Sequence, residues 1–432
     1  MKIRFSDYQL IARQIISSMM IGFAGMTSTA AEETSQGLAA ESTLIQNAFG
    51  KDFINQSGLT GDWWGAGQTL EKWGLSPFAT LTGEFLANAS GGIDEGSAWG
   101  GLLDLGMEVN FEPSLGLEGT SFFVNAFAFH GNDVSGNYVG DFNVVSNIFT
   151  TTDFNVFNLY LKQSFQDDHY WAKAGQIAAD DDFMVSDTAL LFMNSAFGPL
   201  PTESGNVAAP IYPLAAPGAL AYIEPIEGWY FQTAVYAGDA GPATPSNRGF
   251  DWRAGGSAGV AWFAETGYHY QLAGKGVLKA GGYYATGEYQ NFATSQTERG
   301  FGAFYGIINH EFLDTNEDAF GLSVFGRASL APEEELATVY AYVDAGIKFD
   351  SLFLKDDAFG VAVSNTWFGN DYVSDSRQNG TSVSDAETIV EVTYQILITE
   401  WAAIQPDFQW IIDPHFSQRN AVVAGIRASI NL

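Results

Sequence analysis

The last forty-odd residues constrain the fold more than any other stretch. From Ala386 to Leu432 the chain alternates apolar and polar residues in successive runs separated by short breaks. In the final run Val422, Ala424, Ile426, Ala428, Ile430 and Leu432 share one face, and Val423, Gly425, Arg427, Ser429 and Asn431 share the other. Side chains on a strand alternate between its two faces, so this run is a strand with one apolar and one mostly polar side. The run before it sets Ala402, Ile404, Pro406, Phe408, Trp410 and Ile412 against Ala403, Gln405, Asp407, Gln409 and Asp413, with Ile411 as an apolar intruder. The run before that sets Val390, Val392, Tyr394, Ile396 and Ile398 against Glu391, Thr393 and Gln395. Turns at Thr399-Glu400 and roughly Pro414 to Arg419 join them. Two-faced strands about ten residues long, linked by turns, are the pattern of a transmembrane antiparallel β-barrel.

The pattern recurs along the chain. From Pro77 onward there are about sixteen strand candidates, an even number as single-chain bacterial barrels require. Leu103, Leu105, Met107, Val109 and Phe111 oppose Asp104, Gly106, Glu108 and Asn110; Phe320, Leu322, Val324, Ala328 and Leu330 oppose Ser323, Arg327 and Ser329. Val339, Ala341, Val343, Ala345, Ile347 and Phe349 oppose Tyr340, Tyr342, Asp344 and Lys348. The remaining candidates are 77–89, 119–131, 153–165, 170–177, 218–225, 228–238, 257–271, 275–290, 299–312 and 357–369, with Phe122 to Phe129 apolar on both faces. A soluble β-protein also alternates, but its single core cannot use apolar faces that recur over the whole chain. Aromatics crowd the strand ends, at Trp229-Tyr230-Phe231, Tyr283-Tyr284, Trp367-Phe368, Trp401 and Trp410, as membrane-interface girdles require.

Composition agrees. Only 16% of residues are charged and 15% are aromatic, which argues against disorder despite a net charge of −32. That charge excludes a nucleic-acid partner, since phosphate binding needs a positive surface. Cysteine is absent from the 432 residues, which fits an oxidising compartment. After Leu75 no run of about 18 uninterrupted apolar residues exists, so no helical membrane span is expected. Residues 1–31 read as a secretory signal, with Lys2, Arg4 and Arg13 before the apolar run Ile15 to Met26 and small residues at Ser28-Thr29-Ala30. Residues 32–76 read as a periplasmic leader. Thr60 or Asp62 is placed to cap a short helix carrying Leu70 and Trp73 to Gly74, either packed inside or under the barrel or forming a capped turn before its first strand. Residues 77–432 form the barrel.

The longest gap between strands, Asp180 to Pro217, combines Asp180-Asp181-Asp182, a helical-looking Thr188 to Phe197 with apolar Leu190 to Met193, and five prolines. A loop this long is functional or disordered, and the apolar cluster argues for order, so it is expected to fold into the lumen as a constriction. Carboxylate clusters suit calcium, but EF-hand spacing is missing and a solvated acidic loop is the expectation.

These residues carry a family likeness. The chain resembles the carbohydrate-selective porins of the OprB type over roughly 57–432. The likeness begins at Leu59-Thr60-Gly61-Asp62-Trp63, with Trp64 where a Gly is usual. It continues at Lys173-Ala174-Gly175-Gln176, Asp181-Asp182-Phe183 and Asn194-Ser195-Ala196-Phe197-Gly198. It is densest from Gln405 to Pro414 and from Asn420 to Arg427. One departure is Leu432, where such barrels usually end in an aromatic that the barrel-assembly machinery reads. The resemblance implies a sixteen-stranded outer-membrane channel giving passive diffusion of sugars, glucose above all, into the periplasm.

A sugar channel needs hydrogen-bonding groups that replace hydration, and no catalysis or cofactor. The lumen-wall candidates are Asp104, Glu108, Arg327, Asp344, Lys348, Glu391, Gln405, Asp407, Gln409 and Arg427. Mixed charges on facing strands would favour polar, neutral solutes; the bland alternative is mutual pairing on a wet wall. Competing readings are a general small-solute porin, a closed structural barrel, and a barrel enzyme, for which His130 and His169 near Ser or Asp are the weak candidates. The partners expected are monosaccharides, outer-membrane lipid and the assembly machinery.

Overall fold

The computed structural model describes residues 56, 58–61, 63–313 and 320–432. The expected secretory signal and most of the leader lie outside the described residues. The strands are β1 (Leu75–Ser90), β2 (Gly96–Asn110), β3 (Thr120–Gly131), β4 (Phe154–Phe165), β5 (Tyr170–Ile177), β6 (Ala216–Ile226), β7 (Trp229–Ala237) and β8 (Val260–Gln271). They continue as β9 (Lys275–Gln290), β10 (Thr297–Leu313), β11 (Gly321–Leu330), β12 (Val339–Asp350), β13 (Ala358–Phe368), β14 (Ala386–Thr399), β15 (Ala402–Ile412) and β16 (Ala421–Asn431). Each pairs with its sequence neighbours, and β1 pairs antiparallel with β16 from Thr80↔Asn431 to Ser90↔Val422, closing the barrel. Closure leaves no unpaired sheet edge, the condition for strands to cross hydrocarbon.

The two ends differ. Turns after even-numbered strands are short, as at Glu227–Gly228 and Glu400–Trp401, while those after β3, β5, β7 and β13 are long. At the short-turn end a turn at Trp63–Gly65 leads into helix α1 (Ala66–Glu71). Its N-cap is Gly65, with φ of 88° and no side-chain cap, so Thr60 does not cap it; Asp62 is outside the described residues. The backbone N–H of Leu59 donates to the Asn431 carbonyl at 2.8 Å, tying this segment to the last strand.

The alternation sorts residues to the two faces as the sequence predicts. Leu81, Phe85, Leu105, Leu161, Trp262, Phe304, Val343, Trp410 and Ile426 are exposed on the outer surface, while their neighbours point inward. The aromatic girdle reading needs correction. Trp229, Phe231 and Tyr284 are exposed outside, but Tyr230, Tyr283 and Phe368 are buried. The first two turn inward to bonds within the lumen. The Tyr283 hydroxyl donates to the Thr202 carbonyl at 2.6 Å, and that of Tyr230 to Glu265 at 2.7 Å. Gly267 makes room for the latter, because a Cβ there would lie 2.2 Å from the Tyr230 ring.

The interior is not an open pipe. The loop 178–215 folds into it and buries Phe183, Phe192, Met193, Phe197 and Leu200, which are at most 1% exposed. They pack with inward residues of the wall, including Phe263, Phe325, Ile389 and Ile411. Ile411 interrupts the polar face of its strand because it joins this apolar cluster inside the barrel. The helical-looking 188–197 stretch resolves into 3-10 turns at Ala189–Leu191 and Ser195–Phe197, with the Asn194 side chain capping the second through the Ala196 N–H at 2.9 Å. The loop 132–153 joins it: the Asn147 N–H donates to the Met193 carbonyl at 2.7 Å and the Ser195 N–H to that of Val144 at 2.9 Å.

Candidate functional site

A loop folded into a barrel brings backbone N–H and C=O groups that must find partners there. The inward charged residues supply them. Glu391 on β14 accepts from the N–H groups of Met193 (2.6 Å) and Asn194 (2.9 Å). Gln409 accepts from the Asn194 side chain at 2.9 Å and donates to the Val145 carbonyl at 2.9 Å, so it holds both loops. It also donates to Asp407 at 2.9 Å. Gln405 donates to the Leu191 carbonyl at 2.7 Å. Arg327 and Asp344 face each other across β11 and β12. The guanidinium donates to Asp344 at 2.5 and 2.9 Å, and also to the carbonyls of Gly198 (2.6 Å) and Ala196 (3.0 Å). The Tyr342 hydroxyl reaches the same Ala196 carbonyl at 2.6 Å.

Sequence reasoning placed these residues on the inner wall without seeing that a loop occupies them. Arg327, Asp344, Glu391, Gln405, Asp407 and Gln409 are all buried, so what they face is protein as much as lumen water. Other carboxylates of the same kind were missed. Glu387 accepts from the N–H groups of Phe142, Asn143 and His415 at 2.8 to 2.9 Å. Glu265 accepts from Tyr230, Gln232, Tyr305 and the Met184 N–H at 2.7 to 3.2 Å. The available signal was a carboxylate on the inward face of a largely apolar strand.

The acidic triplet also needs correction, because it is not a free solvated loop. Asp182 pairs with Lys173 at 2.6 Å, Asp181 accepts from the Asn158 amide at 2.8 Å, and Asp180 accepts from the Tyr212 N–H at 3.1 and 3.2 Å. Burial, then the Asp181 charge, pushes the Asp180 carboxyl up to about 8.

A second set of loop–wall contacts centres on Arg427, whose side chain keeps 12% exposure. It sits between Glu84 on β1 and Gln405 on β15. It is ion-paired with Glu84 and donates to the Asn147 side chain of the 132–153 loop at 2.6 Å. Glu84 also accepts from the Ser146 hydroxyl at 2.6 Å. Asp104, half-buried, accepts from the Asn125 amide at 3.0 Å. Tyr212 ties this region together: the charges of Glu84, Arg427, Asp104 and Asp180 all act on it, and its hydroxyl donates to the Ile148 carbonyl at 2.7 Å. Burial first, then those carboxylates, holds the phenol well above its ordinary value. Lys348 lies apart, paired with Asp350 at 2.9 Å in a cavity of about 590 Å³ at the short-turn end, and Glu108 is exposed on the inner wall. His130 and His169 sit at opposite ends of the barrel, so they form no common cluster.

A closed sixteen-stranded barrel with an apolar outer belt, narrowed by infolded loops whose backbone the wall satisfies, is an outer-membrane porin. The model of the carbohydrate-selective porin, OprB family, matches residues 94–432, and the chain belongs to that family. It is 24% identical over 423 residues to Porin B of Pseudomonas aeruginosa, covering 86% of this chain and 91% of that protein. A high-pH structure of Pseudomonas putida OprB superposes with a TM-score of 0.78 at 18% identity, covering 88% of this chain and 99% of that one. The low-pH structure of the same protein gives 0.57 at 14% identity and the same coverage. The stretches that carried the resemblance are the two sides of the loop–wall contacts: Lys173 with Asp182, Asn194 with Gln409, and Gln405 with the loop backbone.

Proposed function

We propose that this porin passes neutral monosaccharides by passive diffusion through the gap bounded by Glu84, Arg427, Asp104, Asn125 and Asn147. The observation that carries the reading is the double loop closure. Two loops, pinned to each other and to the wall, narrow the lumen beside the Glu84–Arg427 pair, whose guanidinium keeps some exposure, and beside half-buried Asp104 and Asn147. Such groups exchange hydrogen bonds with sugar hydroxyls without a large net field. Arg327, Asp344, Glu391, Gln405, Asp407 and Gln409 serve as positioning residues that hold the loops, and Lys348 and Glu108 line the exit. Outer-membrane lipid covers the apolar belt, and the assembly machinery reads β16.

Liposome swelling tests this. Reconstituted protein should admit glucose fast, a disaccharide slowly and gluconate slowest, because the carboxylates of Asp104 and Glu108, neither of them ion-paired with a cation among the described residues, oppose an anion. Vesicles that remain tight to glucose would refute the channel. Rates ordered by size alone, with gluconate matching glucose, would leave a general small-solute porin.

A further inference from the structure

The inner wall of a wet barrel is expected to be polar. Just below the constriction, toward the short-turn end, this one is not. Phe78 on β1, Phe123 on β3 and Tyr160 on β4 all point inward and are only partly buried. Their rings form a continuous row with nearly parallel planes: Phe78 to Phe123 has a centroid separation of 5.8 Å at 18°, and Phe123 to Tyr160 5.3 Å at 25°. The row crosses β2 because Gly106 stands opposite Phe78; a Cβ there would lie 2.6 Å from the Phe78 ring. Lys173, which holds Asp182 of the loop, caps the row with its ammonium 4.8 Å from the Tyr160 ring centre. Glu108 is opposite Phe123 in register and exposed. Asn125 and Asn158, which belong to the constriction network, are two residues nearer the long-loop end on the same strands.

Apolar rings left in contact with lumen water call for an occupant. Here they lie beside an exposed carboxylate and directly on the route out of the constriction. A pyranose has the matching chemistry: apolar C–H surfaces for aromatic rings and hydroxyls for a carboxylate. We propose that Phe78, Phe123 and Tyr160, with Glu108, form an exit subsite that binds a neutral pyranose as it leaves the constriction. The proposal rests on the sugar-channel reading and adds a binding step to it.

The test is sugar-induced reduction of ion current through single channels in a planar bilayer, run beside glucose swelling of liposomes. Phe123→Leu keeps apolar bulk and removes the ring; Phe123→Tyr keeps the ring. The leucine variant should raise the glucose concentration for half-maximal current reduction about three- to tenfold. The tyrosine variant should match the parent. Tyr160→Leu should act as Phe123→Leu does, which covers the case in which one variant assembles poorly. Equal half-maximal concentrations in parent and leucine variants would overturn the subsite. So would a parent whose current glucose never reduces while its liposomes swell, since sugar would then pass without binding. Liposomes tight to glucose would overturn the channel reading and the subsite together.

Discussion

Replacing Arg327 by methionine isolates what holds the 178–215 loop. The guanidinium is 2% exposed and divides its donors between Asp344 and the carbonyls of Gly198 and Ala196. Its loss strands a buried carboxylate, which costs about 3–5 kcal/mol. It also orphans the Gly198 carbonyl, about 1–3 kcal/mol, and leaves the one Tyr342 hydroxyl proton to serve either the Ala196 carbonyl or Asp344. Arg327→Met should therefore destabilise by about 4–6 kcal/mol, allowing for incomplete additivity. Adding Asp344→Asn removes the stranded charge and should leave only about 1–3 kcal/mol. The second substitution rescues the first. Urea unfolding of the three proteins in micelles reads the order through their midpoints. In both variants the 196–198 segment is looser, so disaccharide entry should rise relative to glucose and proteolysis near Phe197 should accelerate. A double variant no more stable than the single one would refute the assignment of the cost to Asp344. A single variant as stable as the parent would refute the clamp itself.

Other expectations follow from the same geometry. With its carboxyl pushed up to about 8, Asp180 is neutral below that pH and charged above it. Cation preference, read as reversal potential in a salt gradient, should rise from pH 7 to 9, and Asp180→Asn should flatten the rise. Arg427→Gln leaves Glu84 without its cation; a unit charge about 6 Å from a passing ion is worth about 0.7 kcal/mol in water, so cation entry should rise and anion entry fall about threefold each. His415 is fully buried in the 413–420 loop, and burial pushes its imidazole down to about 4 from 6.5. The unfolded chain therefore takes up a proton first. Its contribution is complete above about pH 6.5 and lost as pH falls toward 4, to the extent of about 3 kcal/mol. His415→Gln should make the acid-side fall in thermal stability shallower, and an unchanged slope would count against that account.

Much of the barrel is readable from alternation because a strand's two faces are set by parity alone. Once Ile426 faces lipid, Arg427 must face inward, whatever the rest of the chain does. Parity also placed Asp104, Arg327, Asp344, Glu391, Gln405, Gln409 and Arg427 on the inner wall, and gap length singled out the infolding loop. It did not reveal what each inward residue meets. The bond from Glu391 to Met193 spans 198 positions, and that from Gln409 to Val145 spans 264. Such contacts depend on how far a loop reaches across the lumen, which no local pattern encodes. The same limit hid the inward turn of Tyr230 and Tyr283, since an aromatic at a strand end serves a membrane girdle or a lumen bond equally well. The closed barrel and its lipid face are thus properties of the sequence read two residues at a time. The clamping of the charged wall by the infolded loops belongs to the tertiary structure, where backbone groups of those loops had to find partners away from bulk water.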